Sequence, residues 1–125
     1  MSQTMNFASQ TYAEAARITM SPRELEASAL IKSAARLQVT ADNPSSTLAA
    51  YDAALTHNRR LWTVIAASIS DPTSHLPDDL KGRLLTIANF VFNHTLAISS
   101  APTAENVAAL IRINRELAAG LRHPV

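Results

Sequence analysis

The sequence predicts an all-α protein, a compact antiparallel bundle of about four main helices preceded by a short N-terminal helical arm. Glycine is scarce, with only Gly82 and Gly120 in 125 residues, whereas a many-stranded β protein needs such residues in its turns. Four amphipathic stretches are separated instead by short breaks rich in proline and small polar residues, at 21–22, 42–46, 71–74 and 99–103. Short breaks between amphipathic helices are typical of antiparallel bundles.

One helical domain is expected over residues 1–125, because 47% of the residues are hydrophobic, which is enough for a buried core. Residues 1–20 form the predicted arm, and residues 21–121 form the predicted helical core. Within the arm, Tyr12, Ala16 and Ile18 are spaced so that they could form a short, weaker helix.

The first main helix has the clearest start signal. Ser21 can cap it, Pro22 fits the first helical position, and Glu24 completes a capping box. The helix is expected to run from Pro22 to Val39. Its apolar face consists of Ala27, Leu30, Ile31, Ala34 and Leu37, with Arg23, Glu26 and Arg36 on the opposite side.

The second helix, expected from Thr47 to Ser70, has apolar residues at alternating steps of three and four, as in a coiled-coil seam. The seam residues are Leu48, Tyr51, Leu55, Asn58, Trp62, Ile65 and Ile69. Trp62 is expected to anchor this seam. Asn58 could contact a partner, but a polar residue in an apolar seam more often fixes the register through hydrogen bonds inside the bundle.

The third helix, expected from Pro77 to Ile98, carries more apolar residues than one bundle face needs. They include Leu80, Leu84, Leu85, Ile87, Ala88, Phe90, Val91 and Phe92. Phe90 and Phe92 lie roughly 200° apart around the helix axis, so one protected side cannot easily hold both. One of them is therefore expected to lie beneath a bound partner. Asp78 and Asp79 fall in the first turn, where negative charge favours the helix dipole.

The fourth helix, expected from Ala104 to Ala119, repeats the seam pattern. Its seam residues are Val107, Leu110, Asn114, Leu117 and Leu121. Asn114 interrupts the stripe as Asn58 does, and the internal interpretation is again favoured. Gly120 is expected to end this helix in a left-handed conformation.

Charge and composition exclude several classes of function. Eleven basic and ten acidic residues give a formal charge of +1, so no net field attracts nucleic acid or an anionic membrane. Cysteine is absent, which fits the cytoplasm, and residues 1–16 lack the regions of a signal peptide. The uncharged stretch 84–104 is repeatedly interrupted by polar residues and proline, so membrane insertion is not expected.

No catalytic machinery, metal site or cofactor site is recognisable in the sequence. The four histidines, His57, His75, His94 and His123, do not occur at the i, i+4 spacing of helical metal ligands. Two isolated glycines cannot form a phosphate-binding loop, and no serine lies in a nucleophile elbow. The sequence therefore predicts a protein that binds another macromolecule and not an enzyme.

Two local pairs of basic residues occur, Arg59 with Arg60 in the second helix and Arg112 with Arg115 in the fourth. They could contact RNA phosphates, but the few aromatic residues offer no platform for base stacking. The favoured interpretation is that these arginines are solvated, or paired with Asp52 or Glu116. Direct RNA binding is therefore not expected.

Several short motifs follow one another along the chain. They are Tyr12-Ala13, Ser21-Pro22-Arg23-Glu24, Asn58-Arg59-Arg60-Leu61-Trp62, Leu76-Pro77 with the apolar helix after it, Ile113-Asn114-Arg115 and Gly120-Leu121. In this order and spacing they resemble the flagellar FlaF family over most of the chain. The resemblance implies a cytoplasmic protein that is needed for flagellin production and assembly, binds flagellin and acts as an export chaperone. Flagellin is the implied partner, with other flagellar regulators as further candidates.

Helix-in-groove binding agrees with these patterns, because unassembled flagellin exposes amphipathic terminal helices whose apolar stripes need cover. The third helix is expected to line part of the groove, with arginines at its rim. The expected partner-binding residues are Arg59, Arg60, Phe90, Phe92, Arg112 and Arg115. The residues expected to serve the helical structure are Ser21, Pro22, Glu24, Asn58, Leu61, Trp62, Pro77, Asn114 and Gly120.

Two alternatives to this mechanism stay open at this point. The chain could act as a post-transcriptional regulator that contacts flagellin mRNA directly through the four arginines, and binding would then fall steeply with salt. Self-association could instead cover the apolar residues of the third helix.

Overall fold

The computed structural model describes residues 22–122, and four α-helices make up most of this part of the chain. They are α1 (Pro22–Asp42), α2 (Leu48–Ser70), α3 (Asp78–Ile98) and α4 (Ala104–Arg122). No strand occurs within the described range, and the all-α prediction is confirmed. The predicted arm, the predicted cap Ser21 and His123 lie outside the described residues.

The four helices run alternately up and down. At one end of the bundle, the first turns of α1 and α3 meet the last turns of α2 and α4. α1 packs most extensively against α4 and also packs against α2, and α2 packs against α3. α3 and α4, in contrast, touch each other only slightly. The bundle is therefore closed on three sides and open between α3 and α4.

Capping hydrogen bonds mark the starts of α2 and α4, and acidic residues mark the start of α3. The Thr47 hydroxyl caps α2 by accepting a bond from a backbone N–H at 3.1 Å. Before α4, Thr103 N donates to Asn106 Oδ1 at 2.7 Å, and Asn106 N donates to Thr103 Oγ1 at 3.1 Å. Asp78 and Asp79 lie in the first turn of α3, as predicted. Each start thus satisfies or complements the free N–H groups of a helix end.

One face of each helix contributes to a common hydrophobic core. Its buried residues are Ala27, Leu30, Ala34, Leu37, Ala54, Leu55, Trp62, Ile65, Ile69, Ala88, Val91, Ile98, Val107, Leu110, Ile111 and Ala118. Trp62 is the largest of the fully buried side chains. Trp62 lies buried in the core, at the place where the seam prediction put it.

Three details of the predicted helix faces are wrong. Ile31 is 40% exposed, because the buried face of α1 centres on Leu30 and the next residue turns away by about 100°. Leu48 is 58% exposed, because it begins α2 at the end of the bundle where α1 stops. Glu26, expected on the polar side, is half-buried, because it lies four residues before Leu30 and shares its face.

Gly120 does not end α4. The helix continues to Arg122, and no residue in the described part of the chain has a positive φ, so the predicted left-handed stop is wrong. Leu121 packs against the core, and its burial favours continuation of the helix. α1 likewise continues beyond Val39 to Asp42, whose carboxylate accepts a hydrogen bond from Gln38 Nε2 at 2.7 Å.

Candidate functional site

A buried network of hydrogen bonds joins α1, α2 and α4 at the centre of the bundle. Asn114 Nδ2 donates to Asn58 Oδ1 at 2.7 Å, and Trp62 Nε1 donates to Asn114 Oδ1 at 2.9 Å. From α1, the Ser33 hydroxyl donates to Asn58 Oδ1 at 2.9 Å. All four side chains are fully buried. We call Ser33, Asn58, Trp62 and Asn114 the central polar network.

These bonds decide between the two interpretations of the asparagines. A buried amide costs free energy unless it is hydrogen-bonded, and here the amide of Asn114 bonds that of Asn58. Asn114 Nδ2 also donates to the Leu30 carbonyl oxygen at 3.4 Å. Among the described residues, Asn58 Nδ2 is the one buried side-chain nitrogen or oxygen without a partner. Both asparagines are hydrogen-bonded inside the bundle, which is the arrangement that the internal interpretation predicted.

His57 lies at the edge of the central polar network. Its Nδ1 is 3.2 Å from Ser33 Oγ, and the Ser33 hydroxyl hydrogen already goes to Asn58, so the contact needs a hydrogen on Nδ1 of His57. Burial lowers the pKa of His57, and the nearby charges of Arg36 and Lys32 lower it further. The neutral ring is therefore favoured, and His57 supports the network as a hydrogen-bond donor.

The open side between α3 and α4 forms an apolar groove. Its middle part, which we call the seam groove, has a volume of about 500 Å³. It is lined by Thr86, Ile87 and Phe90 of α3 and by Ile113, Glu116 and Leu117 of α4. The groove is open because α3 is held mainly through its second half, where Ala88, Val91, Thr95 and Ile98 are buried. None of the residues of α3 before Ala88 is fully buried.

The seam groove continues into a deeper space at the end of the bundle, which we call the end cavity. Leu117 lines both spaces, and the end cavity has a volume of about 440 Å³. Its wall consists mainly of Leu30, Ile65, Ile69, Leu76, Leu80, Leu84, Leu117 and Leu121, with Arg23, Glu26, Ser68, Ser74 and Gly120 completing it. A wall this apolar favours replacement of water by an apolar side chain.

Three charged side chains line the two spaces. Arg23 and Glu26 belong to the end cavity and Glu116 to the seam groove. Among the described residues, no group donates a hydrogen bond to the half-buried Glu26 carboxylate. Burial raises the pKa of Glu26, and the attraction of Arg23 lowers it only in part. The loss of hydration around Glu26 is therefore not fully compensated within the described structure.

The two phenylalanines predicted to face different sides do so. Phe90 is 47% exposed, lines the seam groove and stacks on the His94 ring with 5.3 Å between ring centroids. His94 is itself held by a hydrogen bond between Nε2 and the Asn106 carbonyl oxygen at 2.7 Å. Phe92 is half-buried and lies near Ala66 of α2. Of the two, Phe90 is the aromatic residue that a partner in the seam groove would contact.

The predicted arginines lie on separate surfaces. Arg59 and Arg60 are exposed on α2, and Arg112 and Arg115 are exposed on α4. The latter pair lines a different groove, between the first turns of α4 and the end of α1 near Asp42. The structure therefore does not bring the six predicted partner-binding residues onto one surface. Within residues 22–122, the salt bridge that is present joins Arg83 to Asp79 at 2.8 Å. The predicted arginines were expected to be solvated or paired with Asp52 or Glu116, and their exposure agrees with the solvated alternative.

Sequence reasoning missed several groove residues that the structure brings together. Leu117 and Leu121 were assigned to the core seam of the fourth helix but are only partly buried and face the groove. Glu26 was placed on the polar side of the first helix. Its spacing of four residues from Leu30 was the signal that could have placed it on the inner face.

A metal site and a membrane-spanning helix each place requirements on the described residues. No group of three or more histidine or acidic side chains in the range 22–122 could hold a metal ion. None of the four described helices combines the length and hydropathy required to cross a bilayer. The fold and the groove define a small helical-bundle protein with one incomplete side.

The chain belongs to the FlaF family. The family model described as flagellar protein FlaF matches residues 8–121, which include nearly all of the described helices. The resemblance inferred from the short motifs is confirmed, and the chain is a flagellar protein. Neither the curated proteins nor the solved structures gave a match to the chain.

Proposed function

We propose that this chain is a flagellum biogenesis factor that binds flagellin in the cytoplasm and supports its synthesis and export as a secretion chaperone. The observation that carries the proposal is the apolar groove between α3 and α4 in a protein of a flagellar family. A secretion chaperone must cover apolar surfaces that would otherwise polymerise or aggregate before export. An open groove on an otherwise well-packed bundle suits that task.

The size of the groove supports a helical ligand. From Leu80 to Phe90 the α3 wall covers ten residue steps, about 15 Å at 1.5 Å per step, which is roughly three helical turns. A docked helix would complete the side of the bundle that α3 and α4 leave open, with apolar residues at i, i+3, i+4 and i+7 facing inward. The terminal segments of unassembled flagellin are amphipathic helices of this kind.

A titration of the purified full chain tests the proposal. The ligands are intact flagellin, flagellin lacking the N-terminal helix, flagellin lacking the C-terminal helix, and flagellin mRNA, each at two salt concentrations. Intact flagellin should bind, and deletion of one terminal helix should abolish binding. If neither deletion alters binding, the groove mechanism is wrong. If only the mRNA binds, with a steep salt dependence, direct mRNA regulation replaces the chaperone proposal.

A pair of variants on the same helix locates the binding surface. Phe90→Glu places a charge in the seam groove, whereas Leu96→Glu changes a residue of α3 that is 76% exposed and lies outside both groove spaces. Phe90→Glu should weaken flagellin binding by more than about tenfold, and Leu96→Glu should leave it within about twofold. Circular dichroism of both variants controls for folding.

A further inference from the structure

The end cavity contains a carboxylate, that of Glu26, which a purely apolar ligand would leave without a hydrogen-bond donor. Glu26 reaches the cavity from the second turn of α1 and is half-buried among leucines and isoleucines. A buried or half-buried carboxylate without hydrogen-bond donors is costly, and further dehydration by an apolar ligand increases that cost. A ligand that fills the end cavity must therefore either avoid Glu26 or supply it with a donor.

The charges around the cavity indicate which donor fits. Arg23, one turn before Glu26 in α1, is exposed at the rim, and it does not form a salt bridge with Glu26 in the described structure. The other charged residue that lines the two connected spaces, Glu116, is also acidic. The inner wall is thus short of positive charge, and a cation from the ligand would compensate Glu26 as it loses water.

We infer that the segment docked in the groove is an amphipathic helix whose apolar stripe fills the seam groove and whose lysine or arginine reaches the Glu26 carboxylate in the end cavity. This inference rests on the proposed function and specifies the chemistry of the flagellin segment. It also fixes the direction of docking, because the basic residue must lie at the end of the segment nearest the first turn of α1. The apolar contacts supply affinity, and the charge pair supplies orientation.

Flagellin binding to Glu26 variants tests the inference. Glu26→Gln removes the charge with little change in shape, and Glu26→Lys reverses it. Glu105→Gln is the matched control, since Glu105 is an exposed carboxylate in the first turn of α4, outside both groove spaces. We expect Glu26→Gln to weaken binding by about tenfold, Glu26→Lys to weaken it more, and Glu105→Gln to leave it within about twofold. Glu26→Gln should fold at least as well as the parent chain, so that a loss of binding is not a loss of folding.

A charge-reversal series on the partner identifies the cation. Each lysine and arginine in the flagellin segment required for binding is changed to glutamate. One such variant should lose affinity for the parent chain and regain it with Glu26→Lys. A merely structural role of Glu26 would not produce this rescue.

The outcomes separate failure of the inference from failure of the proposed function. If flagellin does not bind the parent chain at all, the proposed function is wrong and the inference falls with it. If flagellin binds and Phe90→Glu prevents it, but the Glu26 variants behave like Glu105→Gln, only the inference is wrong. If Phe90→Glu instead dissolves a dimer seen by analytical ultracentrifugation and leaves flagellin binding unchanged, a second copy covers the groove and the inference is wrong.

Discussion

The two sides of α4 differ in how completely they are packed. Toward α1 and α2, Leu110, Asn114 and Ala118 are fully buried, and the amide of Asn114 is bonded to both neighbouring helices. Toward α3, Leu117 and Leu121 are only partly buried and line an open space. The same helix thus has one side that stabilises the fold and another that is incomplete. Stability and partner binding should therefore depend on different residues.

The largest expected effect is on the packed side. Truncation of Trp62 to Ala should lower the free energy of unfolding by about 3–5 kcal/mol, because it leaves a large cavity and removes the donor to Asn114. Urea unfolding followed by circular dichroism measures the change. Trp62→Phe, which keeps most of the bulk but lacks the indole N–H, separates packing from hydrogen bonding and should cost less. A change of under about 0.5 kcal/mol in Trp62→Ala would contradict the assignment of this side as the stabilising one.

The second effect concerns the amide bonds of the same side. Asn114→Ala should lower the free energy of unfolding by about 1–3 kcal/mol, because Trp62 Nε1 loses its acceptor and Asn58 Oδ1 loses one of its two donors inside the core. Asn93→Ala, at an exposed position of α3, is the matched control for loss of an asparagine from a helix. Equal unfolding midpoints and slopes for the two variants would show that the central polar network does not stabilise the bundle.

A smaller effect is expected on the open side. Phe90→Ala should lower the free energy of unfolding by less than about 1 kcal/mol, since the ring is half exposed and loses mainly its stacking on His94. Phe92→Ala, from the half-buried phenylalanine nearest α2, should cost more. If Phe90→Ala is as destabilising as Phe92→Ala in the same urea titration, the groove is a packed part of the fold and the comparison fails.

The smallest expected effect is a pH dependence of the free energy of unfolding that arises from His57, at the edge of the central polar network. Because burial and the charges of Arg36 and Lys32 lower the pKa of His57, the folded chain binds fewer protons at this group than the unfolded chain. Its contribution to stability is thus complete above the ordinary value of 6.5 and declines as the pH falls below it.

The free energy of unfolding measured between pH 7.5 and 5 tests this sign. His57→Gln should reduce the decline toward acid pH. His75→Gln, in the exposed connection between α2 and α3, is the control. If the free energy of unfolding falls equally with pH in the parent chain and in His57→Gln, then His57 does not contribute to the pH dependence of stability. Glu26 acts in the opposite direction, because its raised pKa lets the folded chain bind more protons, so the comparison must be made between variants and not on the parent chain alone.

The sequence was sufficient for the features that depend on local order. Helical spacing and the proline-rich breaks predicted all four helices within a few residues of their observed ends, and the asparagines in the seams were correctly interpreted as internal. Leu48 was misplaced because its exposure depends on where the neighbouring helix α1 ends, whereas Ile31 and Glu26 were misplaced because the predicted apolar face of the first helix was not centred on Leu30. Gly120 was wrongly predicted to end the fourth helix, because the position of a helix end depends on the contacts of the residue that follows. Here that residue, Leu121, packs against the core.

The candidate site was likewise predicted only in part from the sequence. The excess of apolar residues in the third helix was visible in the sequence, and it corresponds to the incompletely buried first half of α3. Periodicity could not show which side of the first half of α3 is left open, because that depends on α3 packing more extensively against α2 than against α4. The arginine rim was predicted from charge alone, and charge does not indicate which side of a helix faces a groove.

The hydrogen bond from Asn114 to the Leu30 carbonyl oxygen spans 84 residues of sequence, and this has a consequence during synthesis. At roughly 5–20 residues per second, a ribosome needs about 4–17 s to add the residues between these two positions. Throughout that interval α1 has been made but the helix it packs against most extensively has not. The nascent α1 and α2 therefore present an uncovered apolar surface until α4 leaves the exit tunnel, and C-terminal truncation within α4 should produce a chain that aggregates rather than a smaller folded protein.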